Sequence, residues 1–190
     1  MAEFDVRPMT PDDVPEMVAM YSQAWIDTYV SPEHGVQAEW VLERVATRSM
    51  PENLERLAHI VAEQNPETGA NWVAVAGGRI VGMCRPYRDA DGRVHVGALY
   101  VDRAWHGSGV ASALMERIIE FAGAGQPIQL QVAVYNHRAR AFYRKWDFAD
   151  ESGTESLYDG VIEEITMIRP GGAPEACASP RVVGPDREVG

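Results

Sequence analysis

Residues 105–123, WHGSGVASALMERIIEFAG, set Gly107, Ser108 and Gly109 directly before an apolar stripe that closes on a further glycine. Ala111, Leu114, Met115, Ile118, Ile119 and Ala122 recur at spacings of three and four, which gathers side chains on one face of a helix. The spacing predicts a helix that starts near Val110 and buries that face. The backbone N–H groups of a first helical turn lack intrahelical partners, and the aligned peptide dipoles add partial positive charge there. Glycines at such a mouth let an anion approach the backbone closely, the general design of a phosphate cradle. The stretch lacks the Gly-Lys-Ser/Thr of a nucleoside triphosphate loop, so it has neither the phosphate lysine nor the magnesium hydroxyl of that motif.

The residues on either side of this helix predict the sheet. Upstream, NWVAVAGGRIVGMCRPYRDADGRVHVGALYV (71–101) holds three strand-like runs divided by Gly77-Gly78 and by Asp89–Gly92, the turn signals of an antiparallel meander. Downstream, IQLQVAV reads as a strand, NHRARAFYRKW as a helix, and GVIEEITMIR as a last strand with DESGTESLYD as its partner. Before the meander, EFDVRPM reads as a first strand, and Thr10 and Pro11 open a helix that runs to Tyr29. QAEWVLERVATRS and PENLERLAHIVAEQ read as one or two further helices divided at Pro51. Strands first antiparallel and then joined through helices predict an α/β (α+β) fold, one mixed sheet with helices on its faces. We expect a single domain over residues 1–170 and a mobile tail over 171–190, where Pro and Gly accumulate without periodicity.

Composition limits the setting. A chain of 190 residues with 46% hydrophobic and 24% charged residues can bury one sizeable core. No apolar run approaches the ~18 residues of a membrane span, and MAEFDVRPMT has no apolar signal region, so the expectation is a cytoplasmic protein without a membrane partner. Cys84 and Cys177 show no CxxC spacing, which speaks against a disulfide framework or a cysteine metal site. The net charge of −11 is uneven: residues 1–70 hold thirteen acidic and four basic side chains, while residues 71–127 hold six arginines against five acids. An anionic cofactor suits the middle region, and a nucleic-acid partner is not expected.

The order of elements, with LYVDRAWHGSGVASALM (99–115) and NHRARAFYRKWDF (136–148), resembles the GNAT superfamily of acyl-CoA-dependent N-acyltransferases over about residues 3–169. Its glycine turn follows a Q/R-x-x-G-x-G/A pattern, occupied here by His106, Gly109 and Ala111, so histidine stands in the first position. In the second motif, N-x-x-A-x-x-F/L-Y-x-x-x-G-F, Asn136, Ala139, Phe142, Tyr143 and Phe148 match, and Asp147 replaces glycine. The resemblance implies a mixed sheet of about six to seven strands. It also implies that acetyl-CoA is the cofactor, without a metal. Its pyrophosphate would lie on the turn from His106 through Gly107, Ser108, Gly109 and Val110 to Ala111, and its pantetheine arm would run beside Leu99, Tyr100 and Val101. Asn136 is implied to contact the cofactor, and it is equally placed to cap its helix.

The resemblance further implies transfer of an acetyl group to a primary amine, with Tyr143 donating a proton to the departing thiolate. Tyr143 also falls at core spacing with Ala139, Phe142 and Trp146. Many members carry a carboxylate at the strand position taken here by Gly97. Period-two alternation puts His95, Gly97 and Leu99 on one face, so His95 is the candidate base, directly or through water, with bulk water as the alternative. Trp25, Asp27 and Tyr29 in the N-terminal region are candidates for the acceptor wall, and the acid excess there favours a small cationic amine by steering. Polyamine, aminoglycoside, amino acid and peptide amine all remain open. So do two other classes: an enzyme acting on a protein lysine or N-terminus, and an acyl-CoA-binding module without turnover. A homodimer is a common arrangement for such soluble proteins.

Overall fold

In the computed structural model, which describes residues 3–172, the chain runs through β1 (Asp5–Pro8), α1 (Val14–Tyr29), α2 (Ala38–Arg48), α3 (Pro51–Ala62), β2 (Trp72–Ala76), β3 (Arg79–Arg88) and β4 (Val94–Val101). It continues through α4 (Val110–Ala122), β5 (Ile128–Ala133), α5 (His137–Arg144), β6 (Ala149–Asp150), β7 (Ser156–Tyr158) and β8 (Ile162–Arg169). The strands form one sheet in the order β1-β2-β3-β4-β5-β8-β6, with β7 also paired to β8. Six to seven strands were expected and the described residues hold eight. The extra one arises because residues 149–158 pair with β8 in two short pieces instead of one. Pro51 does divide two separate helices. None of the helices among the described residues is long and apolar enough to cross a membrane.

Helices cover both faces of the sheet. The stripe read from residues 110–122 is α4, with Val110, Leu114, Met115, Ile118 and Ala122 buried against Val81, Val94, Val96 and Ile128. On the opposite face α1 and α3 pack Met17, Val18 and Val61 onto Val73, Ile80, Met83 and Ala98. A third cluster joins Trp25 and Val41 to Ala133 and Ile162. The start of α1 follows the expected signals: the Thr10 N–H and hydroxyl both donate to Asp13, at 2.7 and 2.8 Å, and Arg7 clamps the same carboxylate through two 2.7 Å bonds.

Two features of β4 shape the site. Its pairing with β5 is the only parallel one among the described strands, and it is confined to Val94–Ile128 and His95–Gln129. Beyond those residues the two strands separate. The second feature is a bulge: Arg85 pairs with Ala98 and Pro86 with Val96, which leaves Gly97 as the extra residue. Pro86 can occupy this central strand because a bulge removes the ladder bond that its missing N–H would have donated. A Cβ on Gly97 would lie 3.0 Å from both the Arg85 carbonyl oxygen and the Tyr87 ring, so no carboxylate fits there.

The bulge also overturns the expected alternation. Val94, Val96, Leu99 and Val101 pack toward α4, whereas Ala98 and Tyr100 pack toward α1. His95 therefore shares its face with Tyr100 and not with Leu99, because one inserted residue flips every side chain after it. At the end of α5, Asp147 has φ +64°, which explains why the second motif carries glycine at this place. Aspartate is among the few other residues that tolerate the left-handed region.

The expected tail falls, beyond Gly172, outside the described residues, as does Cys177. Gly171 still packs on Gly125. Cys84 is buried, its thiol donates to the Leu114 carbonyl at 3.5 Å, and burial pushes its pKa up to about 12.

α4 approaches β3 through Gly82, where a Cβ would lie 2.8 Å from Val110 Cγ1, 3.0 Å from Leu114 Cδ1 and 3.2 Å from the Tyr100 carbonyl oxygen. Gly82→Ala is expected to lower stability by about 1–3 kcal/mol through overpacking. Urea unfolding checks this as a lower midpoint at unchanged slope.

Candidate active site

The turn ahead of α4 is held by its own polar groups. Asp102 Oδ1 accepts from the Ala104 N–H at 2.8 Å, and the Ser108 hydroxyl donates to the Trp105 carbonyl at 2.6 Å. Gly107 and Gly109 have φ of +81° and +99°, values that L side chains rarely adopt. A Cβ on either would meet nothing within 4 Å. Their conformation, not crowding, requires glycine, and the space before the first turn of α4 is open.

His106 Nε2 donates to the Val101 carbonyl oxygen at 3.2 Å, and its Nδ1 accepts from Arg138 at the start of α5. Burial first, and then the neighbouring Arg138, lowers the His106 pKa, so the ring is the neutral partner of the guanidinium. Burial also lowers the Arg138 pKa, and the positive charge of Arg103 adds to the effect. Two arginines beside helix amides fit an anion such as a pyrophosphate. Arg138 escaped the sequence reading because it belongs to the second motif and meets the first only in space.

Leu99, Tyr100 and Val101 pair with Cys84, Met83 and Gly82 of β3 along one edge. Along the other edge β5 has already diverged, and no described strand pairs with β4 beyond His95. Unpaired strand groups bind an extended chain that carries amides, and the pantetheine arm is such a chain. The residues present therefore fit both ends of coenzyme A.

On the α1 side of this gap lies a cleft of about 440 Å³, lined by Tyr21, Trp25, Tyr29, Tyr100, Tyr158 and polar groups of β3, β5 and β8. Trp25 Nε1 donates to the Tyr100 hydroxyl at 3.0 Å, and the Tyr29 and Tyr100 hydroxyls are also 3.0 Å apart. Burial raises the pKa of both tyrosines, which stay protonated. The structure thus brings Trp25 and Tyr29 to the cleft, together with the side chain of Tyr100, expected only as a backbone contact. It does not bring Asp27 there: Asp27 is exposed and accepts from Gln23 at 2.9 Å on the outer face of α1. Helical spacing separates Asp27 from Trp25 by about 200°.

His95 lines the cleft but is held on both sides. Its Nε2 lies 2.8 Å from Asp89 Oδ2, the Gln129 amide is 3.0–3.2 Å from both ring nitrogens, and the ring stacks on Tyr87 at 4.7 Å. The carboxylate that does line the cleft is Glu164 of β8, 9% exposed, with its pKa raised by burial. Nothing in the motifs singles it out. Its signal in the sequence is a charge at an inward position of a strand.

Tyr143 is 8% exposed and packs edge-on against Phe142 and at a tilt against Phe148 in the cluster under α4. Its hydroxyl makes no hydrogen bond to any described residue, and burial raises its pKa. Asn136 caps α5, its Oδ1 accepting from the Ala139 N–H at 3.0 Å.

A family model described as "Acetyltransferase (GNAT) family" matches residues 34–148. The chain belongs to this family. An uncharacterized N-acetyltransferase of Mycobacterium tuberculosis is 36% identical over 96 residues, which cover 48% of this chain and 61% of the relative. The chain thus spans under two thirds of the length of the curated relatives it matches. Among solved structures, the PaiA N-acetyltransferase of Thermoplasma acidophilum, in complex with coenzyme A, is similar at a TM-score of 0.69 and 17% identity, over 88% of this chain and 99% of that one. An acetyltransferase of the GNAT family from Streptococcus pneumoniae gives 0.66 and 22%, over 90% and 100%. At these identities the likeness is one of fold.

Gly109→Glu puts both a side chain and a negative charge at a left-handed position facing the cradle. Coenzyme A affinity is expected to fall by about 10²-fold or more, with a strain of about 1–3 kcal/mol in stability. Gly109→Ala carries the strain without the charge and is expected to lose less affinity. Calorimetric titration of both variants with coenzyme A checks the difference.

Proposed function

We propose that the chain transfers an acetyl group from acetyl-CoA to a primary amine held in the cleft. The observation that carries this reading is the free edge of β4 at Leu99–Val101 running into the open glycine turn before α4. One edge offers amide pairing to the pantetheine arm, and the turn offers helix amides, Arg103 and Arg138 to the pyrophosphate. When bound, the thioester supplies an activated acyl group. The residues need only position an amine, receive its proton and protonate the leaving sulfur.

The aromatic wall of Trp25, Tyr29 and Tyr100 excludes water from the amine, and Glu164 faces the same space. A primary amine arrives as an ammonium ion. Glu164 is the carboxylate that attracts it and accepts its proton at the carboxylate oxygen, a role that burial favours by making Glu164 more basic. His95, tied to Asp89 and Gln129, holds that end of the cleft and remains an alternative base through water. Tyr143, buried beside Phe142 and Phe148 on α5 and the loop after it, is the candidate to hold a proton at Oη for the leaving sulfur. Its raised pKa keeps that proton until negative charge develops on sulfur. A thiol has a pKa of roughly 8.5, so transfer from a more basic phenol is uphill, and Tyr143 works mainly by donating a hydrogen bond to the developing charge.

Incubation with acetyl-CoA and a panel of amines, following free thiol, tests the reading. Amine-dependent thiol release supports it. Release with peptides but not with small amines moves the acceptor to a protein, and no release with any acceptor overturns the transfer reading in favour of an acyl-CoA-binding module.

Tyr143→Phe keeps the ring packing and removes the proton. Turnover is expected to fall by about 10²-fold, the lower end for a positioned acid, with coenzyme A affinity nearly unchanged. A tyrosine that only packs would instead leave turnover per folded molecule intact, which steady-state rates and melting curves on one preparation distinguish. For Glu164, activity is expected to rise with pH as the carboxyl deprotonates, with the midpoint above the ordinary carboxylate range because burial raises its pKa. Glu164→Gln is expected to abolish that limb of the kcat/KM profile.

A further inference from the structure

The charges inside the cleft do not match those of the chain around it. None of the thirteen acidic side chains of residues 1–70 lines it. The one acid among its lining residues is Glu164, and the one permanent cation is Arg85 of β3. Arg85 forms no ion pair with any described residue, whereas Arg79 and Arg93, at the two ends of the same hairpin, pair with Glu16 and Asp91. Behind the aromatic wall lies a second guanidinium: Arg48 stacks over Trp25 at 3.9 Å and over Tyr21 at 4.7 Å, and its buried Nη1 has no partner among the described residues.

We infer that the acceptor carries a carboxylate on the same chain as its amine, with Arg85 binding the carboxylate and Glu164 receiving the ammonium. The inference rests on the transfer reading of the cleft and narrows its acceptor. The like charge of these two guanidiniums, Arg85 exposed and Arg48 held by the aromatic rings, disfavours the second ammonium of a dication. A carboxylate offers Arg85 the bidentate partner it lacks. The strand spacing also favours a chain longer than a plain α-amino acid. Arg85 lies in register with Ala98 of β4, and Glu164 with Ala133 of β5. β3 and β8 are three strand spacings apart, roughly 14 Å between backbones, and the parting of β4 from β5 widens this. Side chains that rise side by side from one face of the sheet keep about that spacing between their ends, which leaves several bonds between the groups they hold. The class that fits is an ω-amino acid or the side-chain amine of a basic amino acid, with the methylene chain against Trp25 and Tyr29.

Two probes of equal chain length decide it: 6-aminohexanoate and hexane-1,6-diamine. The wild-type protein is expected to acetylate the amino acid with kcat/KM about tenfold or more above that of the diamine, the value of one charged contact. Arg85→Glu is expected to invert the order, Arg85→Gln to level it, and Arg85→Lys to retain part of it. Equal use of both probes by the wild type, a preference for the diamine, or an order unchanged in Arg85→Glu overturns the inference. Calorimetric titration of 6-aminohexanoate in the presence of coenzyme A separates this from failure of the transfer reading. Binding to the wild type but not to Arg85→Glu, with no thiol released from acetyl-CoA by any amine, sustains the inference and overturns transfer. Thiol release by amines regardless of a carboxylate sustains transfer and overturns the inference.

Discussion

Parallel strands ordinarily satisfy one another's backbone along their shared length, yet β4 and β5 do so at two residue pairs and then part. The consequences of that divergence run through the whole molecule. It leaves the β4 edge at Leu99–Val101 open between two helical layers, one built on α4 and α5 and the other on α1 and α3. It also leaves the cleft on the α1 side of that edge, where Trp25 and Tyr29 of α1 meet the Tyr100 hydroxyl. A continuous sheet would leave no such gap.

The Gly97 bulge completes the arrangement. By inserting one residue opposite Arg85 and Pro86, it turns Tyr100 into the cleft and sends Leu99 to the core under α4. The same tight approach of Tyr87 that demands glycine at this position removes any place for a carboxylate on β4. The acid in the cleft then comes from β8, three strands away from Arg85 in the sheet order. The carboxylate and the guanidinium of this cleft thus come from strands on opposite sides of the parting between β4 and β5.

The electrostatics divide in the same way. The acid excess of residues 1–70 lies on solvated faces, as with Asp27 on the outside of α1, and contributes a diffuse field instead of a local contact. The glycine turn and the cleft wall carry arginines with few partners. Charge counted along the chain predicts solubility and long-range steering. It does not predict which charge meets a ligand.

Local rules determined a good deal from the sequence alone. The three-and-four spacing of Leu114, Met115 and Ile118 fixes α4, because a helix packed on a sheet must bury one face. Gly107 and Gly109 announce the turn before it, because only glycine holds φ near +80° to +100° without strain. Pro51, and the signals at Thr10 and Pro11, mark helix boundaries through the donors that proline lacks and the caps that threonine begins. Only the tertiary structure decided what these elements bring together. Arg138 beside His106, Glu164 opposite Arg85, and Tyr100 within reach of both Trp25 and Tyr29 are contacts across strands and helices distant in sequence. Period-two alternation misplaced His95 relative to Leu99 because a bulge resets the alternation by one residue. Pro86 in the middle of a strand was its one sequence signal. Periodicity reports which way a side chain points within its own element; which other side chains it meets depends on strand order, register and divergence, and those are settled by packing the whole chain at once.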